Sequence, residues 1–541
     1  MSNLPLENAG RYGLVTDLQP FELEPEAWSR ADNIVFSKRG ASKARGHVEA
    51  LSTLLHAPYW LFYWDSSITI SWLYAGLNRV GRAISGGHLD VTRYTTSLGD
   101  NDYAATATSV FSGPLLGDYP WWVYDGQVDP PQSWNSGDGR FEDLPNWPAS
   151  TYCDILTVVD RHVIALRIKK SGSVFNPRMV KWSQPADPGT YPSSWDETDP
   201  ATTAGEVTLA ETPGEIKAAS LLNNSMLIYK SDSVISMRFV GGQSVFRFDT
   251  VFSEFGAVSS GAIGVLENAH FVVTEGDVIV HNGNTHQSVI NHKNRNLLFD
   301  NLDALYVNKL QVHVREQQDE VWICYADSNN VGGALNKAMI WNSTDNTWAQ
   351  RDLQNFTHLA SGFIDTSATS FIFDDPPQTT RLFNEPESNV TFDIQSATPV
   401  FDDLAAVDAV NTKLYKLNVS SQFDGVNMAC RLERIGLPII GRDRQGEWRV
   451  DLDSRKFLRR VHLKMISDGP VTVYLGGQDV LGPASSVTWS NPITYDPRTQ
   501  SFLDCRINAK FLAIRIESSS NIEWVLYGYT LDLDLIGQAP R

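Results

Sequence analysis

The sequence predicts an all-β fold, with a β-propeller of about six irregular blades followed by a C-terminal β-sandwich. Three observations lead there. Short runs rich in Val, Ile, Phe, Tyr and Trp alternate with clusters of Gly, Asn, Asp, Ser and Pro, and 3.6-residue periodicity is almost absent. The runs recur as loose sets of three or four, as blades do when each buries its faces only against its neighbours. The texture then changes after residue 385, where an acidic, turn-rich stretch precedes strands with longer connections. At 541 residues the chain exceeds the size at which one core stops growing, about 250–300 residues, so several domains are expected.

Residues 1–50 read as an N-terminal arm and first propeller strand, 51–385 as the propeller and 386–541 as the C-terminal β-sandwich or platform. YWLFYW, TISWLYAG and GRAIS form the first set; DILTVVD, HVIALRI and MVKWS form the second. IKAASLL, SMLIYK, VISMRFV and SVFRFDTVF make a third. In the fourth, residues 265–284, the triplets ENA and EGD mark turns between the alternating runs HFVVT and VIVHN, which makes these consecutive antiparallel strands. LQVHVRE, EVWICYAD, AMIWN and TWAQRD supply a fifth set, and THLASGFI, SFIFDD and TRLFN a sixth. Beyond 385, RRVHLKM and YTLDLDL alternate as strands with one packed and one solvated face.

Composition narrows the function classes. Sixty-three acidic and forty-four basic residues leave a net charge of -19, which repels phosphate backbones and argues against a nucleic-acid grip. Cys153, Cys324, Cys430 and Cys505 form no C-x-x-C pair, so reduced, buried thiols are expected instead of a metal ribbon or disulfide framework. The N-terminus has no basic and apolar leader pattern, and no apolar run of about 18 residues occurs; neither export by a signal peptide nor a membrane span is expected.

The search for chemistry yields no catalytic, cofactor-binding or metal-ligating residues, and the chain is not expected to be an enzyme. The hairpin at 336–352 resembles the sialidase Asp-box in Ser343, Asp345, Thr347 and Trp348 but lacks its Gly-x step. Asp345 and Asn346 are expected to shape the turn, with Ile340, Trp341 and Trp348 packing a blade. Asp451 with Asp453, and Asp532 with Asp534, read as carboxylate pairs on solvated strand faces, too few in oxygen ligands for a metal. His281, His286 and His292 read as loop histidines, because their spacing matches no zinc pattern. The glycines of FVGGQSVF and YLGGQDV read as hairpin turns. The dense aromatic group at 118–134 offers either an exposed sugar-binding ladder, with Trp121 and Trp122, or packing between blades or subunits.

The stretch from residue 17 to 47 carries Pro20, Leu23, Pro25, Trp28, Ala31, Asn33, Phe36, Gly40, Lys43 and Gly46 in succession. In this it resembles the opening of the β-propeller tail tube (nozzle or tail hub) proteins of short-tailed bacteriophages. Trp147 and Pro148 before a strand pair, the passage from Trp182 to Trp195, the aromatic strand before Gly256 and the last strands at 510–538 resemble that family in the same order. The resemblance spans roughly residues 10–540. The aromatic DYPWWVYD and the acidic stretch at 385–410 have no match in it.

The resemblance implies a structural virion protein in the phage tail, assembled in the host cytoplasm. It implies a homo-oligomeric ring, usually six subunits, below the portal and adaptor and bearing tail fibres or receptor-binding proteins at its rim. Such a ring retains the packaged genome and conducts DNA during ejection without sequence-specific binding. Six subunits at -19 each carry -114, and an acidic lumen lets DNA slide. The gate is expected in a long turn-rich loop, at 93–118 or 184–206. A receptor- or glycan-binding propeller is the alternative.

Overall fold

The computed structural model describes all residues except 1, 52, 66–69, 85–86, 94–101, 188, 243, 365–402, 481–486 and 537–541. The described chain is all-β. Its helical content is one five-residue α-helix, Arg295–Phe299, and two 3-10 segments, Ala304–Lys309 and Glu316–Gln318.

Among the described residues seven antiparallel meanders with four principal strands each follow one another. The first comprises Trp60–Asp65, Ile70–Ala75, Val80–Ile84 and Gly87–Asp90. The second, Phe111–Ser112, Tyr119–Tyr124, Gln132–Asn135 and Arg140–Asp143, is the one the sequence hid. Its leading strand has two residues, too few to show alternation. The third runs from Tyr152–Val159 to Gly205–Thr208, the fourth from Ile216–Leu222 to Phe246–Phe252 and the fifth from Ile263–Leu266 to His286–Ser288. The sixth runs from Gln311–Arg315 to Thr347–Phe356.

The seventh meander changes the expected domain plan. Its strands are His358–Ser361, Leu404–Asp408, Lys413–Leu417 and, from the other end of the chain, His47–Leu51, whose far edge pairs in parallel with Gln422–Phe423. Hydrogen bonding therefore crosses both boundaries drawn from the sequence, at 50 and at 385. Pairing partners more than 360 residues apart leave no local signature. The expected strands SFIFDD and TRLFN lie outside the described residues.

Leading strands of successive meanders lie side by side: second with third, third with fourth, and so on to sixth with seventh. His358–Ser361 of the seventh then packs against Trp60–Asp65 of the first. First and second meet through Trp60, whose ring lies 6.0 Å from Phe111 and 6.1 Å from Trp122.

Two further sheets share one core. Arg455–Ser467, Trp524–Ile536 and Leu503–Ala509 form the first, extended by Ser2–Leu6 and by the hairpin Ile34–Ser37 and Gly40–Lys43. Cys430–Leu437, Phe511–Ser518 and Val471–Gln478 form the second. Val461, Leu463 and Met465 alternate inward from one; Leu432, Val473 and Ile514 meet them from the other. Arg30–Asp32 bridges this body to the sixth meander, with Arg30 opposite Glu433 and Asp32 opposite Gln350. Gly476 and Gly477 lie inside Val471–Gln478, correcting their reading as a hairpin turn. A Cβ on Gly477 would fall 2.4 Å from that of Ala509, so close sheet contact requires glycine there. Gly241 and Gly242, at φ +68° and +69°, do sit in the connection between strands.

Candidate functional site: a cavity shared by seven sheets

The segment that carried the resemblance is a staple. Trp28 is buried and donates from Nε1 to the carbonyl of Ala9 at 2.7 Å. Asn33 adopts φ 56° and exchanges hydrogen bonds with Asp352, donating at 2.8 Å and accepting from its N–H at 2.7 Å. Its amide also donates to the carbonyl of Ala429 at 2.7 Å, so one side chain ties the N-terminal arm to the sixth meander and the C-terminal body. Lys43 donates to the carbonyl of Ser520 at 2.8 Å. Cβ atoms on Gly40 and Gly46 would lie 2.2 and 2.0 Å from the carbonyl oxygens of Leu526 and Gln422. The carbonyls of Pro20 and Leu23 accept from Arg434 at 2.6 and 3.1 Å. That guanidinium is fully buried, and burial lowers its pKa to about 10. Nearly every motif position therefore has a packing or hydrogen-bonding task between sheets.

A cavity of about 320 Å³ opens where the seven meanders meet. Tyr59, Phe111, Ile155, Ala218, Gly261, Gln311 and His358 line it, one from each leading strand or the segment just before it. Such a volume holds on the order of ten waters, far less than a DNA duplex needs. The expected gate segment 93–118 reaches this cavity: Ala107, Ser109, Val110 and Pro114 are in its wall, and the Asn308 amide donates to the Thr108 carbonyl at 3.5 Å.

The start of that segment is held by a buried network. Arg93 meets Asp129 at 2.5 Å and Asp143 at 2.7 Å, and its guanidinium lies 4.6 Å from the Tyr103 ring. Asp129 also accepts from the Ala104 N–H at 3.0 Å and from the Tyr124 hydroxyl. Residues on both sides of 94–101, itself outside the described residues, are thus fixed to one carboxylate.

The described part of segment 184–206 is anchored at a few points, with exposed residues between them. Trp195 is buried against Trp147, and Glu197 joins Lys170 at 2.5 Å and the buried Lys181 at 2.6 Å. Glu206 completes the cluster at 2.9 and 3.2 Å from the same ammoniums. Burial alone would raise the Glu197 pKa, but hydrogen bonds from Lys170 and Lys181 hold it at about 2. A carboxylate depressed in the folded state contributes stability that is full above its unfolded pKa, about 4.3, and lost as pH falls toward 2. We expect E197Q to be less stable than wild type at pH 7, the difference to shrink below about pH 4 and to vanish only below about pH 2 in urea titrations. A gap independent of pH would contradict this assignment.

The other candidate residues are dispersed. Trp121 and Trp122 are each 1% exposed, so neither ring is open to stack on a sugar. Asp451 lies in a turn and not on a strand face, a correction; its Oδ1 accepts from the N–H groups of Asp453 and Ser454, both at 2.8 Å. Asp532 and Asp534 do lie on the strand Trp524–Ile536, with Asp534 paired to Arg459. Of the supposed loop histidines, His281 is instead buried in Val278–His281. Its Nε2 shares the Tyr229 hydroxyl, at 2.8 Å, with Nδ1 of His270 at 2.7 Å, and burial with His270 nearby lowers its pKa to about 4. His286 is exposed in a strand, and His292 adopts φ 58°. Sequence reasoning missed His270 and Tyr229, which are far apart in the chain.

Asp345 and Asn346 shape the turn as expected. Asp345 accepts from the Lys38 N–H at 3.0 Å, and Asn346, at φ 52°, accepts from Trp341 Nε1 at 3.1 Å. Ile340, Trp341 and Trp348 are buried. The four cysteines are free, three buried and Cys505 half-buried. Among the described residues no three His, Cys, Asp or Glu side chains gather as a metal site, and no helix is long and apolar enough to cross a membrane. Compared with models of known protein families and with curated proteins, the chain matches none.

Proposed function

We propose that the seven meanders close as a β-propeller, that the two C-terminal sheets form a β-sandwich, and that the chain is a structural subunit whose task is assembly. Within that class, our reading is a tail tube (nozzle) protein of a short-tailed bacteriophage. It forms a ring, six-fold by resemblance, that continues the portal–adaptor channel, retains the genome and conducts DNA during ejection in the virion tail. The observation that carries the reading is the N-terminal motif, whose residues staple propeller and sandwich together as an assembly joint would require.

Charge distribution supports it. Residues 430–541 carry 15 Lys and Arg against 13 Asp and Glu, a net +2, which leaves -21 on residues 1–429. An acidic propeller suits a surface that DNA passes without adhering, while the near-neutral sandwich suits contact between copies. The cavity among the blades is too small for DNA, so the duplex would pass along the ring axis between subunits. We expect negative-stain images of rings with an axial channel, and a larger ring fraction by mass photometry as salt screens repulsion between acidic subunits. Monomers at every salt concentration and with the adaptor present would refute the assignment.

A further inference from the structure

We infer that the cavity between the seven sheets is a binding site for a small oxyanion, anchored by Lys309. The ammonium is distinguished by what it lacks. Lys181 and Lys416 meet carboxylates at 2.6 Å, and Lys456 gives its protons to backbone carbonyls, the nearest at 2.5 Å. Lys309, in the cavity wall, has neither; the Tyr306 ring 5.8 Å away is the sole contact of its ammonium among the described residues. Burial with no neighbouring acid lowers its pKa, the condition in which a bound anion returns most to an ammonium.

The wall around it mixes polar and apolar groups in nearly equal measure. Ser109, Ser112, Thr157, Ser260, Asn308 and Gln311 present hydroxyls and amides, and Tyr59 and Phe111 add ring surface. At about 320 Å³ the space takes a ligand of on the order of ten non-hydrogen atoms, a phosphate or a carboxylate-bearing molecule with hydroxyl groups. The adjoining recess of about 100 Å³ contains Asp125 and Asp154, but Arg167 pairs with Asp154 at 2.9 Å and burial raises the Asp125 pKa. Both effects weaken opposition to an anion next door.

Isothermal titration of the full chain with inorganic phosphate and with glucuronate, glucose serving as the neutral control, tests this. Saturable uptake of at least one anion and not of glucose is expected, weakened at least about tenfold in K309M and retained in K309R. Lys309 is half-buried at the end of the 3-10 segment Ala304–Lys309, and matching far-ultraviolet spectra establish that the variants fold. Uptake of phosphate alone assigns a phosphate-bearing ligand; uptake of glucuronate alone assigns a carboxylate. No saturable uptake of either by wild type up to about 10 mM, or equal uptake by K309M, overturns the site.

Discussion

Trp28→Ala is expected to lower the urea-unfolding free energy by about 3–5 kcal/mol, the range for truncating a fully buried tryptophan. The side chain is 1% exposed in the core where the N-terminal arm, the sixth meander and the two C-terminal sheets meet. Its ring lies 6.0 Å from that of Tyr529, and its Nε1–H bond to Ala9 fixes the path of the arm. Truncation leaves a cavity and removes the donor to that carbonyl. Because several sheets share this core, unfolding followed by tryptophan fluorescence and by circular dichroism should shift together. A loss below about 1 kcal/mol would mean that the arm is not what joins these sheets.

Arg93→Ala is expected to cost a similar amount, about 3–5 kcal/mol, for a different reason. Arg93 is buried and Asp129 is 12% exposed, so removing the guanidinium leaves a carboxylate with only the Ala104 N–H and the Tyr124 hydroxyl. The second carboxylate, Asp143, is half exposed and keeps its bond from Gln132 at 2.8 Å. The penalty therefore falls on Asp129, and Arg93→Met combined with Asp129→Leu should recover much of it, since matched apolar groups leave no charge unpaired. Hydrogen exchange at the Ala104 amide should accelerate in the single variant. Equal stability of Arg93→Ala and wild type would sink the claim that this network fixes the residues on either side of 94–101.

Local strand pattern was legible in the sequence because alternation and turn residues act over a few positions. HFVVT and VIVHN form strands, and Asp345 and Asn346 shape the turn between Leu335–Asn342 and Thr347–Phe356, as the residue types dictate. The second meander escaped because its leading strand has two residues and its aromatic run invites a binding reading; only packing reveals that Trp121 and Trp122 are buried. Gly477 looked like a turn glycine, and its requirement comes instead from Ala509, more than thirty residues away. The motif at residues 20–46 was visible as a motif, yet its purpose was not. Asn33 and Arg434 find partners more than 300 residues distant.

The sequence by itself determined the all-β class, the order of most strands, the acidic balance and the absence of paired cysteines. Each of these depends on composition or on neighbours along the chain. Only the tertiary structure decided that His47–Leu51 completes the last meander, that the C-terminal body recruits Ser2–Leu6, and that Lys309 lines a cavity shared by seven sheets. Pairing and enclosure are properties of surfaces brought together from distant segments, and a strand carries no local mark of which distant edge will satisfy its backbone.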